Sequence, residues 1–433
     1  MFEEWLLDDQ AELTRADQAG LLLDLASAGA TVRRAVRLAG EAGLDRLRPE
    51  GRPRAVLVAG HGTAAVAGEL LASLGGTVCP VTVLGPSLAD PAHPADRPSP
   101  SSNELRSDFS LSLDWALPGW VGPSDLLLIL SGNGTEPGLI VLAQQAYSRG
   151  CSVVSVAPPG SPLAGATLQV RGLPLPFETA TGASEPVPGL ERDLPQESPS
   201  ALWALLAPAV AFADRVGILS IPLSSLQTAA DRLDDVAVRC GPAAETYSNP
   251  AKSLAIQLDG VLPLLWSDSP GTAAVARRFA AMLATEAARP AVLGMLPDTL
   301  GSQHGLLRGG LGAEPDEDDF FRDRTEESDA LRYRILLLRR TQQPAGAPAE
   351  PDAPFLAEPS FPSEPDAAPA PEPHPAPYAV TRAHRLAADH RIGVQELTSA
   401  QSDTLAALTE LVALTDFAAV YLGLASSSSP RVR

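Results

Sequence analysis

Lysine is all but missing from this 433-residue chain: Lys252 is the only one. Genomic base composition explains the scarcity most simply, but any amine chemistry must then use Lys252. Positive charge is short overall. The 32 Lys and Arg against 52 Asp and Glu leave a net charge of −20, so nucleic-acid phosphates and anionic membranes are repelled. A small anion can still bind through local donors. Cysteine is limited to Cys79, Cys151 and Cys240, far apart, with no CxxC pair and no metal-ligand spacing. Cys79 and Cys151 fall at strand starts and read as small core residues, which suits a reducing cytoplasm. Met1-Phe-Glu-Glu-Trp is acidic and does not read as the basic n-region of a signal peptide. No apolar run is long enough to span a bilayer. The longest, Ala201 to Ala213, holds Pro208, stops at Asp214-Arg215 and reads as a buried helix. The acidic run Asp316 to Asp319 has no glycine-spaced calcium pattern and reads as a solvated loop. Neither a metal nor a cofactor is expected.

What is present suits a folded protein. Hydrophobic residues make up 45% and charged ones 19%, and the length allows two or three units with separate cores. The most informative stretch runs from Asp125 to Pro137. Its apolar run, Leu126 to Leu130, does not alternate and ends at Ser131-Gly-Asn-Gly. Such a run reads as a strand buried on both faces, hence a parallel sheet. Pro137 stands where a helix should begin, its φ already helical. The turn then offers N–H groups at a helix start beside the hydroxyls of Ser131 and Thr135, a place for a phosphate.

The same grammar recurs along the chain. Residues 10–45 carry helical spacing. Strands are expected at Arg54–Gly60, Cys79–Leu84, Cys151–Ala157 and Ala166–Val170, with a helix at Ala64–Leu74 and an exposed loop over 86–105. Alternation of this kind gives a doubly wound α/β unit. After a Pro/Glu/Gly-rich connector come helices at Ala201–Leu219 and Leu223–Cys240. Strand, turn and helix restart at Val261–Trp266, Ser267–Gly271 and Thr272–Ala288. Further strands are expected at 291–296, 333–339 and Ile392–Leu397, and an amphipathic helix at Leu405–Leu424. Twelve of the 42 prolines fall in 344–377. That composition cannot bury enough surface to order itself and reads as a linker or surface loop. A proline-motif ligand is the alternative, although no basic residues flank it.

Two stretches carry a family resemblance. Ser131-Gly132-Asn133 with Thr135-Glu136 resembles the Ser-Gly-Asn-Thr-x-Glu loop of sugar isomerase (SIS) domains. Tyr247-Ser-Asn-Pro-Ala-Lys-Ser-Leu-Ala, Leu258 to Trp266 and Ala273 to Phe279 resemble the start of the second half of the bifunctional phosphoglucose/phosphomannose isomerases. The resemblance implies an α/β fold of two tandem SIS-type doubly wound α/β/α units with parallel sheets. It divides the chain into a first unit (1–172), a connector (173–200), a second unit (201–343), a Pro/Ala/Glu-rich insert (344–378) and a C-terminal strand and helix (379–433) that complete the second unit. It also implies a small-molecule sugar phosphate as ligand, a homodimer and a cytoplasmic location.

The site residues follow by position. Gly62, Thr63, Ser131, Gly132, Asn133 and Thr135 are expected to bind the sugar phosphate. The family's base is a Glu near the end of the helix after its double Arg. Here strict alignment gives Thr285, and Glu286 is the neighbour; the alternative for Glu286 is an exposed helix carboxylate. The family's histidine comes shortly afterwards, and His304 is the nearby candidate, with His61 a rival at the rim of the first strand. Several positions depart from the family pattern: Ala64 replaces a Ser, Ile129 an earlier Ser, Gly134 a Thr, and Ser200 an active-site arginine. Two functions therefore stand side by side, an aldose–ketose isomerase and a phosphosugar-binding protein without turnover. A dinucleotide-binding reading of Gly60-His-Gly-Thr-Ala fails, because the third glycine and the acidic residue after the next strand are missing.

Overall fold

A computed structural model of the chain describes residues 2–49, 51–75, 79–88, 113–178, 198–308, 332–340 and 378–426. The acidic run 316–319, the residues 344–377, most of the loop 86–105, and His93 and His374 lie outside the described residues. The chain opens with a 3-10 turn (Glu4–Asp8) and helices α1 (Gln10–Ala16), α2 (Leu21–Ala26) and α3 (Ala28–Glu41). A second 3-10 turn (Leu44–Arg46) leads to β1 (Val56–Ala59), α4 (Thr63–Leu74) and β2 (Val81–Leu84). Two short strands, β3 (Ser87–Leu88) and β4 (Leu113–Asp114), pair antiparallel. Next come β5 (Leu126–Leu130), α5 (Pro137–Ser148), β6 (Ser152–Ala157), α6 (Pro162–Gln169) and β7 (Leu173–Pro176). The second half begins with α7 (Ala201–Arg215), α8 (Leu223–Cys240) and α9 (Pro250–Leu258). It continues with β8 (Val261–Ser267), α10 (Pro270–Glu286), β9 (Val292–Met295), α11 (Thr299–Ser302) and α12 (His304–Arg308). It closes with β10 (Arg332–Arg340), α13 (Tyr378–Asp389), β11 (Gly393–Ser399) and α14 (Thr404–Ser426).

The long strands form two parallel sheets, ordered β2-β1-β5-β6-β7 and β11-β10-β8-β9. The two are wound alike. In each, the first strand has the second on one side and the third and fourth on the other. The match reaches the sequence: Gly-Thr-Ala-Ala-Val-Ala stands at 62–67, where α4 begins, and again at 271–276, where α10 begins. By the same equivalence β10 matches β5, and α13 matches α5. The end of β10 therefore corresponds to the end of β5, where the turn 131–136 begins.

Alternate side chains explain the layers. Val56, Val58, Leu128 and Leu130 face a large core shared with Leu265, Leu336 and Leu338 of the second sheet. Helices α3, α4, α7, α8, α10 and α14 fill the space between. Leu57, Leu127 and Ile129 face the opposite way, onto α5 and α6, while Leu264, Trp266, Ile335 and Leu337 pack on α12 and α13. Burial on both faces is why β5 reads as an unbroken apolar run.

Two expectations are corrected. Ala166–Val170 is not a strand: Ser161 caps a helix with Pro162 at its first position, and the edge strand lies further on, at Leu173–Pro176. The alternation Ala166, Leu168, Val170 imitated a strand, but Leu168 is 63% exposed and buried Leu163, Ala164 and Thr167 follow helical spacing. The first sheet thus takes its last strand from the stretch read as connector. The C-terminal helix is not amphipathic either. It packs against α10, α8 and α9 and is buried nearly all round. Among the described residues it alone is long and apolar enough to cross a membrane, yet 89% of its apolar window is inside the protein.

Candidate functional site

The C-terminal ends of β1 and β5 are neighbours in the first sheet, and each leads through a short turn into a helix. After β5, Ser131 is buried and its N–H donates to the Val156 carbonyl. Its hydroxyl accepts from the Gly134 N–H at 2.7 Å and donates to Glu136 Oε2 at 2.6 Å. Asn133 Oδ1 accepts from the Thr135 N–H at 3.0 Å. Two of the N–H groups expected to face a phosphate are thus satisfied within the turn. Gly134 sits at φ +69°, and a Cβ there would run into the Ser161 side chain. Ser161 in turn caps α6. That explains why glycine holds the place of the family's threonine. Pro137 is the first residue of α5, as its position predicts.

After β1 the chain turns at His61 and Gly62. Gly62 has φ +57° and ψ −130°, which a residue with a Cβ adopts only under strain. His61 Nε2 lies 3.1 Å from Glu136 Oε1, and the ring centroid is 6.3 Å from that of Trp115. Burial pushes the Glu136 carboxyl up, but the hydrogen bonds from His61 and Ser131 outweigh it, so the group titrates below the usual carboxylate range. Glu136 therefore bridges the two turns. It belongs to the loop that carries the SIS resemblance, and that was the available signal. Its role as a bridge depends on which side chain stands across from it, and sequence does not show that.

Thr63 is buried. Its hydroxyl accepts from Arg278 Nη1 at 3.0 Å. Arg278 comes from α10 of the second half and also donates to the Pro199 carbonyl and the Asp416 carboxylate. Asp416 is fully enclosed; burial raises its pKa more than Arg278 lowers it. Asp24 closes the neighbourhood by accepting from Ser198 and from the N–H and hydroxyl of Ser200. Arg278 and Asp416 are the residues sequence reasoning missed. The double Arg at 277–278 was visible, but not that only the second arginine turns inward.

Helix α10 lies antiparallel to α4. Arg278 meets Thr63, Arg277 pairs with Glu69 at 3.1 Å, and Gly271 lies beside Ser73. The C-terminal end of α10 therefore runs past the start of α4, toward the side where His61 and the turn 131–136 lie. Glu286, half-buried, ends α10 about 12 Å of helix beyond Arg278. Gly423 of α14 allows the two helices to touch there, since a Cβ on it would strike the Glu286 carbonyl.

His304 does not join this group. It starts α12 on the outer face of the second sheet, in the layer of Leu307 and Val380, whereas α10 covers the inner face. Its ring stands edge-on to His390, centroids 5.7 Å apart. Proximity to Glu286 in sequence hid the sheet that separates them. The structure thus gathers Gly62, Ser131, Gly132, Asn133 and Thr135 at one sheet edge, with Glu286 on the helix end directed to that side. It leaves His304 apart and commits the Thr63 hydroxyl to Arg278. No cluster of three metal-binding side chains occurs among the described residues.

Known proteins fit this architecture. The sequence profile of the bacterial phospho-glucose isomerase C-terminal SIS domain matches residues 247–347. No curated protein matches the chain. Among solved structures, a protein assigned as a phosphosugar isomerase from Silicibacter pomeroyi is 16% identical with a TM-score of 0.53, over 94% of this chain and 98% of that one. The C-terminal domain of glucosamine-fructose-6-phosphate aminotransferase from Francisella tularensis is 11% identical with a TM-score of 0.51, covering 94% and 96%. Tagatose-6-phosphate ketose/aldose isomerase from Escherichia coli is 10% identical with a TM-score of 0.50, covering 95% and 91%. At these identities the likeness is one of fold. Taken with the duplicated winding of the sheets, it makes the chain a tandem SIS-fold protein whose residues 247–347 match the bacterial phospho-glucose isomerase C-terminal SIS domain.

Proposed function

We propose that the crevice at the ends of β1 and β5 binds a sugar phosphate, and that the protein is an aldose–ketose isomerase interconverting fructose 6-phosphate with glucose 6-phosphate or mannose 6-phosphate. The observation that carries this reading is the convergence at one sheet edge of the turn 131–136, the Gly62 turn and the carboxylate-bearing end of α10. Ser131, Thr135 and the backbone of Gly132 and Asn133 hold the phosphate at the start of α5. Glu286 moves the proton between C1 and C2 of the open-chain sugar through an enediol. The chain pairs as a homodimer in this reading, with Leu293 and Met295 on edge strand β9 and Leu306 on α12 exposed as apolar contact surface.

One observation favours the second reading, ligand binding without turnover. The Ser131 hydroxyl and the Gly134 and Thr135 N–H groups already have partners inside the turn, so a phosphate must displace Glu136 from Ser131. A coupled assay of purified protein on fructose 6-phosphate separates the two. Turnover to glucose or mannose 6-phosphate supports the isomerase. Binding with no product supports the second reading.

A further inference from the structure

The second sheet repeats the winding of the first, so it has an edge equivalent to the one that carries the crevice. In open α/β sheets ligands gather past the C-terminal ends of the strands, where the winding reverses. In the second sheet that reversal lies between β8 and β10. Past the end of β10, on the side of the shared helical layer, there is a cleft of about 430 Å³. The end of α4, the stretch 218–221 after α7, Arg340 and the start of α14 line it. Its volume lies in the range of small-molecule sites.

Arg340 ends β10, and alternation puts it on the same face as Leu336 and Leu338, toward the shared core. Its Nη1 donates to the Thr404 hydroxyl at 2.6 Å. That bond fixes the guanidinium at the wall of the cleft and leaves the rest of its donor fork for a ligand. Among the described residues no carboxylate is paired with it. Asp403 also lines the cleft, but its carboxylate caps α14, with Oδ1 accepting from the Ala406 N–H at 2.8 Å. The start of α14, a helix of 23 residues, adds the positive end of its dipole to the same wall. Ser73 and Ser220 offer hydroxyls, and Leu74 and Ile221 offer apolar surface. A cationic fork beside hydroxyls and an apolar wall suits an oxyanion carried on a partly apolar body.

We propose that this cleft is a second ligand site, taking a small organic oxyanion, a phosphate monoester or a carboxylate, whose charged group is held by Arg340. The site is separate from the crevice and does not depend on turnover there. The two lie at opposite ends of α4: Gly62 precedes its first residue, and Ser73 and Leu74 end it. Its 12 residues keep them about 18 Å apart, too far for one small ligand to fill both.

Calorimetry on the full chain with phenyl phosphate, benzoate and neutral phenol tests the site. The three probes share a ring and differ in the charged group. Phenyl phosphate or benzoate should bind wild type, and the tighter of the two separates a phosphate ligand from a carboxylate. Phenol should bind at least ~10-fold more weakly. Arg340→Met keeps the apolar stem and removes the fork, and should weaken the anion at least ~10-fold. Ser220→Trp keeps the charge and fills the cleft from an exposed position, and should weaken it as much. Ser131→Asp, at the crevice, should leave it within about twofold. Fructose 6-phosphate should bind wild type and Arg340→Met alike, and melting temperatures show that each variant is folded. Three results would overturn the site: neither anion binding at millimolar concentration, phenol binding as well as the anions, or unchanged affinity in Arg340→Met and Ser220→Trp. Loss in Ser131→Asp alone would put the probe in the crevice and overturn it too. If wild type binds the anion at Arg340 but not fructose 6-phosphate, the sugar-phosphate reading of the crevice falls and this site stands.

Discussion

Glu286 and Glu136 are two carboxylates near one sheet edge, and their surroundings give them different work. Glu136 is enclosed, with both oxygens occupied. Glu286 ends a helix and is half-buried. Glu286→Gln keeps the shape and removes the proposed base, so kcat should fall by at least ~10²-fold with ligand affinity nearly kept. Steady-state kinetics beside calorimetry checks both halves of that statement. Glu136 makes a prediction about pH. Its folded pKa lies below the ordinary 4.5, so its hydrogen bonds stabilise the fold above that value and the contribution is lost as pH falls through the lowered pKa. Urea midpoints of wild type and Glu136→Gln should differ at neutral pH and converge in acid; a gap that widens in acid would contradict the assignment. At this scale the sequence was read unevenly. Ser131, Gly132 and Asn133 could be placed at the turn between β5 and α5 because strand, turn and helix leave a fixed signature. Thr63 was found as a position, but not that Arg278, 215 residues away in sequence, would take its hydroxyl.

At the scale of elements, the packing of α10 on α4 and α14 aligns the two halves. Arg278 and Asp416 sit inside that packing, 6% and 1% exposed. Removing only the arginine leaves a buried carboxylate without its counter-charge, so Arg278→Met should cost about 3–5 kcal/mol. Replacing both, Arg278→Met with Asp416→Leu, should recover much of the loss. Chemical denaturation of the single and double variants gives the comparison. Gly423→Ala should push α14 off the end of α10, because the added methyl meets the Glu286 carbonyl. It should cost about 1–3 kcal/mol and weaken turnover through Glu286. β5, β6 and β8 were legible because both faces of a central parallel strand are buried. The pair α6 and β7 was misread because a short apolar alternation fits either period, and the cap at Ser161 decided it. α14 was misread because its two Asp and Glu positions suggested a wet face. Instead Asp416 is paired with Arg278 inside, and Glu410 accepts hydrogen bonds from Arg239 and Ser399.

At the scale of the molecule, two similarly wound sheets share one helical layer. The repeated Gly-Thr-Ala-Ala-Val-Ala was a direct sign of this duplication. Its meaning needs the structure, which puts both copies at the start of equivalent helices. β10 pairs with β8 and β11 along its length, and residues 344–377 offer little apolar surface. Replacing them by a short Gly-Ser linker should leave the melting temperature nearly unchanged, and a large drop would mean that they dock on the body. Sedimentation at micromolar concentration should give a dimer; a monomer throughout would remove the pairing.

The central claim is that the turn 131–136 of the first unit binds the ligand's phosphate. Calorimetric titration of fructose 6-phosphate into wild type and Ser131→Asp tests it most directly. The introduced carboxylate stands where the anion should sit and faces Glu136. Wild type should bind and the variant should lose at least tenfold in affinity, about 1.4 kcal/mol, with its melting temperature showing that it is folded. Equal affinity in the two proteins would place the phosphate elsewhere and contradict the account.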